Sequence, residues 1–289
     1  MLRSMYAGIS GLKNFQTKLD VIGNNISNVN TYGFKKGRTV FKDLYSQTVA
    51  GASGPVGDTR GGVNPKQVGL GSQLAAIDTL HTAGSTQFTG NTLDLAIEGD
   101  GFFIVQNGAT ATDVQYTRAG NFYLDKDGTL VDGDGRFILG LQNEETSTGN
   151  PAVKTTTLKE DKATNFGSIK IPSDATNMSI GQDGTVNYVQ EGKLQVAGRL
   201  NIATFNNPGG LEKIGGNLFQ QSANSGEAIT GKPLDAGRGA IKSGSLEMSN
   251  VDLSEEFTDM IVAQRGFQAN TRIITTSDEI LQELVNLKR

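Results

Sequence analysis

Two stretches of apolar residues at heptad spacing, one at each end of the chain, constrain the fold more than any other feature. Near the start, Met5, Leu12, Leu19 and Ile26 fall seven apart, with Phe15, Ile22 and Val29 in a second row beside them. No proline interrupts this stretch, so the spacing predicts a helix of about 28 residues, roughly 42 Å long. Gly8, Gly11 and Gly23 lie inside it, and each costs a helix about 1 kcal/mol relative to alanine. At the other end, Leu253, Met260, Phe267, Ile274 and Leu281 repeat the seven-residue interval, and Phe257, Ile261, Ala263, Leu284 and Val285 widen the stripe. Asp252 or Ser254 reads as the N-cap of this second helix. Glu255 and Glu256 fall in its first turn and Lys288 and Arg289 in its last, the order that suits a helix dipole. Gln264, Thr271 and Asp278 lie beside the stripe and are of the type that fixes register.

Charge divides at the same places. Residues 1–42 carry seven basic side chains against Asp20, net +6, while residues 250–289 carry four basic and seven acidic ones, net −3. With −4 for the whole chain, the middle carries −7. The ends are thus opposite in sign, and each has an apolar stripe, so they are expected to pack together with the intervening chain as an insertion. Two helices sharing one seam bury little, and the surplus apolar surface calls for cover by neighbouring copies, so self-association is expected over a closed monomer. Nucleating a helix is costly and packing supplies most of its stability. The glycine-broken ends are therefore expected to be largely disordered in a free monomer and to order on assembly.

The middle reads as β. Leu93–Ile97, Gly101–Val105, Phe122–Leu124, Phe137–Leu139 and Leu194–Phe205 are strand-like. Asp127-Gly128, Asp134-Gly135 and Asp183-Gly184 supply the positive φ of tight hairpins. The fold class expected is α+β: a discontinuous helical coiled-coil core formed by both termini, with a β-rich antiparallel domain inserted between them. The boundaries expected are 1–30 plus 250–289 for the helical core and 31–75 for a Gly-rich linker, whose stretch from Ala50 to Gly71 reads as a long loop. Residues 76–249 form the outer β domain, with a polar, Thr-rich excursion at about 142–166.

Several kinds of chemistry are excluded outright. There is no cysteine and one histidine, His81, so disulfides, iron–sulfur clusters, thiol nucleophiles and His-rich metal sites are ruled out. Asp125-Lys-Asp127-Gly128 and Asp132-Gly-Asp134-Gly135 have glycine at position 4 and no glutamate at 12, so they read as hairpin turns and not as calcium loops. Gly133-x-Gly135 opens a strand, which leaves a dinucleotide phosphate without a helix N-terminus. The chain has no G-x-S-x-G, H-E-x-x-H or P-loop, and His81 reads as a surface or interface residue. No catalytic, cofactor or metal residue is assigned, and the expectation is a protein that is not an enzyme. The basic run Gly33-Phe-Lys-Lys-Gly-Arg38, with Tyr32, Phe34 and Phe41 interleaved, is short and has an acidic partner segment in the same chain. Neither nucleic-acid binding nor membrane insertion is expected from it. No apolar stretch approaches the roughly 20 residues of a membrane span, and no secretory signal is visible.

Three longer motifs carry a resemblance. Leu19-Asp-Val-Ile-Gly-Asn-Asn-Ile-Ser-Asn-Val-Asn-Thr-Tyr-Gly-Phe-Lys35 resembles the N-terminal signature of bacterial flagellar rod and hook axial proteins. Its marked positions are Asn24, Asn25, Asn28, Asn30, Gly33 and Phe34. Gly99–Val105, Tyr116–Phe122 and Asp125–Val131 are similar to that family's central β motif. Ser249–Ser254, Met260–Asn270 and Leu284–Lys288 resemble its C-terminal signature, which includes Gln264, Arg265 and Asn270. The resemblance implies terminal helices lining a tube, β domains projecting outward, and unfolded export through the flagellar type III apparatus without a cleaved signal. It implies a helical homopolymer whose partners are rod, hook-cap and hook–filament junction proteins, located in the hook or basal body. Within the family, Val21–Asn25, Asn250–Ser254 and Met260–Arg265 are most similar to the hook, the curved coupling that passes motor torque to the filament. The Gly-rich segment from Val49 to Gly71 is similar to an insertion of the distal rod, whose tube is straight and rigid. The hook is the reading taken here and the distal rod the alternative. A β-rich extracellular carbohydrate-binding protein, which would need a concave polar site, is the reading from another class.

Overall fold

The computed structural model describes residues 2–55, 61–108, 113–142, 144–148, 153–157 and 166–287. The chain divides into two compact units. The first is residues 1–27, 37–80 and 251–289, and the second is residues 28–36 and 81–250.

The first unit is built on helices α1 (Leu2–Ser27) and α2 (Leu253–Leu287). Their contacts run in opposite directions along the two sequences, with Lys18 meeting Asp259 and Asn25 meeting Glu256, so the pair is antiparallel. The Asp252 carboxylate accepts the Ser254 amide at 2.8 Å, which makes Asp252 the cap. Helix α1 ends at Ser27, so Val29 lies outside it and belongs to the second unit. No helix among the described residues is long and apolar enough to cross a membrane.

The expected linker is the largest departure from the sequence reading. Residues 37–55 and 61–79 form a two-stranded ribbon: β1 (Gly37–Asp43), β2 (Ser46–Ala50), β3 (Lys66–Gly69) and β4 (Ser72–Thr79). β1 pairs antiparallel with β4, and β2 with β3. The isolated bridge Ser53–Val63 prolongs the second pair. The β1/β4 end packs on a helix: Asn14 of α1 donates to Ser72 Oγ at 2.8 Å, and Asn25 exchanges hydrogen bonds with the backbone of Gly37. Strands β2 and β3 are exposed at every position. That is why the sequence gives no alternating signal here: neither face is buried against the chain's own core.

In the second unit the strands fall close to where the apolar runs place them. They begin with β5 (Thr86–Phe88), β6 (Leu95–Glu98), β7 (Phe102–Gln106), β8 (Val114–Thr117), β9 (Phe122–Leu124), β10 (Leu130–Asp132) and β11 (Phe137–Gln142). β7 is central, pairing antiparallel with β8, with β11 and with strand Ile202–Thr204. Its side chains alternate between two cores. Phe103 and Val105 join Phe122, Leu130, Ile138, Leu200 and Ile202, while Phe102 and Ile104 join Tyr116, Leu139 and Phe219. Burial on both faces explains why Phe102-Phe-Ile-Val105 is a continuous apolar run, and each such side chain contributes roughly 1.5–3 kcal/mol. Gly128, Gly135 and Gly184 all stand at positive φ, as their Asp-Gly turns require. Within the polar excursion, Glu144–Thr148 pairs with Val153–Thr157, while residues 143, 149–152 and 158–165 lie outside the described residues.

Candidate assembly surface

The seam between α1 and α2 is made of small and polar residues. On α1 the buried positions are Gly8, Gly11, Asn14, Ile22 and Asn25, and on α2 they are Glu256, Ala263 and Ser277. Large side chains enter as knobs between them. A methyl group added at Gly266 would stand 2.6 Å from the Phe15 ring, and one at Gly11 would stand 2.9 Å from the Asn270 side chain. One at Gly8 would touch Ile274 at 3.5 Å. Gly11 is therefore a hole that lets the helices approach, while a methyl group at Gly8 would make an ordinary contact. Gly23 is different, since nothing lies within 4 Å of a methyl group placed there. Gly23→Ala is expected to stabilise α1 by about 1 kcal/mol, read as a rise in the midpoint of the far-UV circular dichroism melt.

Of the apolar positions singled out by heptad spacing, Ile22 is buried, and Met5, Leu12, Phe15, Leu19, Ile26, Met260, Ile274 and Leu281 are half-buried. Leu253, Phe257, Phe267 and Val285 are exposed. A row that the spacing argument passed over, Ile273, Ile280 and Leu287, also lies exposed, and Leu287 is 83% accessible. It recurs every seven residues and was legible, but the neighbouring row with Met260 and Phe267 drew the assignment. Asp259 and Lys18 form an ion pair at 3.3 Å, a modest part of the expected charge complementarity. Lys288 and Arg289 lie outside the described residues.

The signature residues have separate duties. Asn25 is a buried hub in the first unit, with Nδ2 donating to the Gly37 carbonyl at 2.9 Å and to Glu256 Oε2 at 3.1 Å, and Oδ1 accepting from the Gly37 amide. Asn270 donates to the Gly266 carbonyl at 3.0 Å. Gly33, in the second unit, holds φ at +69° against the backbone of Arg118 and Ala119, where a methyl group would meet main-chain atoms at 2.6 Å. Phe34 lies under the Lys213 ammonium, 5.0 Å from the ring centroid. Asn28 is half-buried, and Asn24, Asn30, Gln264 and Arg265 are exposed.

Two other features bear on chemistry. A groove of about 1310 Å³ in the second unit is lined by Tyr116, Asp183, Arg199, Asn201, Asp235 and Arg238 among others. Its walls use up much of their own polarity: Thr185 satisfies both Asp183 oxygens, and Arg238 binds the Lys232 carbonyl and lies 3.6 Å from Asp235. Among the described residues no cluster of acidic or histidine side chains is poised to hold a metal ion. Asp132 and Asp134 instead pair with Arg136.

His81, expected at a surface or interface, is half-buried. Its ring packs against Phe102 and Phe219 at 5.6 and 5.4 Å, and both ring nitrogens are buried. Burial first, then the charges of Lys35, Arg118 and Lys213, hold its pKa down at about 4. The unfolded chain therefore binds this proton more readily. The stabilisation from a neutral His81 is complete above the ordinary value of 6.5 and is lost as pH falls through 4, about 3 kcal/mol in all. A melt series from pH 7 to pH 4 should show this fall, and His81→Leu should flatten it.

Comparison with known proteins follows the same segments. Residues 5–35 match the family described as flagella basal body rod protein, residues 96–188 the flagellar hook protein FlgE/F/G D1 domain, and residues 242–287 the flagellar basal body rod FlgEFG protein C-terminal. Over its full length, and the full length of the relative, the chain is 59% identical to the flagellar basal-body rod protein FlgG of Bacillus subtilis. It is 37% identical, again over both full lengths, to the protein of the same name from Borreliella burgdorferi. The flagellar hook protein FlgE of Borreliella burgdorferi is 34% identical over both full lengths, in an alignment of 445 positions. A solved hook protein, FlgE2 of Helicobacter pylori, matches 65% of this chain and 47% of its own at 16% identity and a TM-score of 0.23.

Proposed function

Since the chain belongs to the family of flagellar rod and hook axial proteins, we propose that it is a structural subunit of the basal-body rod, in its distal, straight part, and not of the hook. The observation that carries this is the 59% identity to a protein named as basal-body rod, sustained from end to end with almost no length change. The hook-named relative aligns over 445 positions against a chain of 289, so it carries long insertions that this chain lacks. The hook reading drawn from the terminal motifs therefore gives way to its alternative. The ribbon of β1 to β4 supports the same choice, because its strands flank the Gly-rich segment that the sequence likens to the distal rod's insertion.

On this reading the helices form the inner wall of a tube. Neighbouring copies cover the stripes that one chain leaves open: Leu253, Phe257 and Ile261 on one side of α2, and Ile273, Ile280 and Leu287 on the other. Met5, Leu12, Leu19, Ile26, Phe267 and Val285 complete the contact set. The rod, the hook and the export apparatus are the partners this implies, with export needing no cleaved signal. Electron microscopy of the purified protein, concentrated or salted out, tests it beside a chain trimmed of residues 1–30 and 250–289. Straight rigid tubes from the full chain alone are expected. Curved tubes would return the assignment to the hook.

A further inference from the structure

Three separate stretches of the second unit, each next to a point where the chain enters or leaves it, meet at one carboxylate. Glu247, 1% exposed, accepts from Lys35 Nζ at 2.6 Å and from the Gly84 amide at 3.0 Å on Oε1, and from Arg118 at 3.2 Å on Oε2. Lys35 is equally buried and donates a further bond to the Thr82 carbonyl at 2.8 Å. Main-chain bonds repeat the pattern. The Gly33 amide donates to the Glu247 carbonyl at 2.8 Å, and the Met248 amide to the Ser85 carbonyl at 2.8 Å. Asn250 closes the set, accepting from the Lys36 amide at 2.8 Å and donating to Thr82 Oγ1 at 2.9 Å. Residues 33–36, 82–85 and 247–250 thus form one cluster, although Lys35 and Glu247 are 212 positions apart in the chain.

The chemistry makes Glu247 the member that the others depend on. It is the one acid in a cluster with two buried cations, Lys35 and Arg118. Removing one partner of a buried pair leaves an uncompensated charge, which is far more costly than the pair's net contribution. Arg118 keeps a second anchor in the Gly99 carbonyl at 2.9 Å. Lys35 likewise keeps its bond to the Thr82 carbonyl, but Lys35 and the Gly84 amide converge on the same Glu247 oxygen, Oε1, so their stretches are the ones exposed to its loss.

We propose that Glu247 is a clamp residue that fastens the chain's three connecting stretches into one junction, so that load arriving along any one of them is shared by all three. The load-sharing part rests on the structural-subunit reading, while the clamp itself does not. Hydrogen exchange on the free, full-length chain tests the clamp whatever tube the chain builds. With Glu247→Gln, which keeps the shape and removes the charge, amides in 33–36 and 82–85 are expected to exchange at least about tenfold faster. Amides of β7 and β11 should keep their rates. Equal acceleration everywhere would mean general loss of stability and would overturn the proposal, as would no change at all. If Glu247→Gln does not fold, Lys35→Met, which leaves the Arg118–Glu247 pair in place, should loosen the same two stretches alone. Unchanged rates in that variant would equally overturn it.

Discussion

Gly266→Leu should abolish tube formation while leaving the β body of the second unit folded. The seam that holds α2 against α1 is a set of holes, and Gly266 is the one that receives the Phe15 ring. A single methyl group there already stands 2.6 Å from Cζ of Phe15 and 2.7 Å from Cε1, inside the 3.5–4.0 Å at which carbon atoms attract. An isobutyl group must expel the ring or push the helices apart. Moving α2 outward also breaks contacts along its length, because Asn270 sits over Gly11 and Ile274 over Gly8 on the same face. Overpacking of a tight seam typically costs 1–3 kcal/mol, a large fraction of what two glycine-rich helices can gain together. The readouts separate cleanly: electron microscopy reports tubes, and thermal melting reports the β body. Tubes of normal yield and shape from Gly266→Leu would show that the α1–α2 seam is not the packing used in assembly. Gly23→Ala, expected to be harmless or mildly stabilising, controls for the loss of a helical glycine as such.

The same seam shows what the sequence could and could not disclose. Heptad spacing located both helices, because that signal is carried by many residues at once. It did not identify the seam. A pattern search ranks Leu253, Met260, Phe267, Ile274 and Leu281 above a row of Glu256, Ala263, Asn270 and Ser277, yet Glu256, Ala263 and Ser277 are buried. Small residues permit close approach, and their value appears only once the partner helix is in place. The ribbon was illegible for a related reason: strands without a buried face carry no alternation, so the stretch from Ala50 to Gly71 reads as a loop. In the β body, by contrast, strand β7 is buried on both faces and announces itself in four consecutive apolar residues. Asn25 was picked out by resemblance, while its bonds to Gly37 and Glu256 join positions that no spacing rule connects.

Gly128→Val should lower the stability of the β body by about 3 kcal/mol or more, for two reasons of which the sequence shows one. The visible reason is the turn. Gly128 follows Asp127 and stands at φ +77°, with its amide donating to the Asp125 carbonyl at 2.8 Å, and a β-branched residue in that region is strained by roughly 1–2 kcal/mol. The hidden reason is the neighbour. A methyl group at Gly128 would run into the carbonyl oxygen of Ile171, whose amide donates to the Gly128 carbonyl at 2.7 Å. The main chain cannot yield as a side chain does. Ile171 is itself in the core with Leu130 and Ile169, so displacing it opens the packing beside β10. For a body of this size such a loss corresponds to a melting point lower by roughly 6–12 °C. Gly135 supplies the contrast, since it has the same Asp-Gly motif and φ +81° but nothing within 4 Å. Gly135→Ala should therefore cost only the backbone strain, about 1 kcal/mol. Equal losses at the two sites would mean that the approach of Ile171 contributes nothing and that turn geometry alone sets the cost.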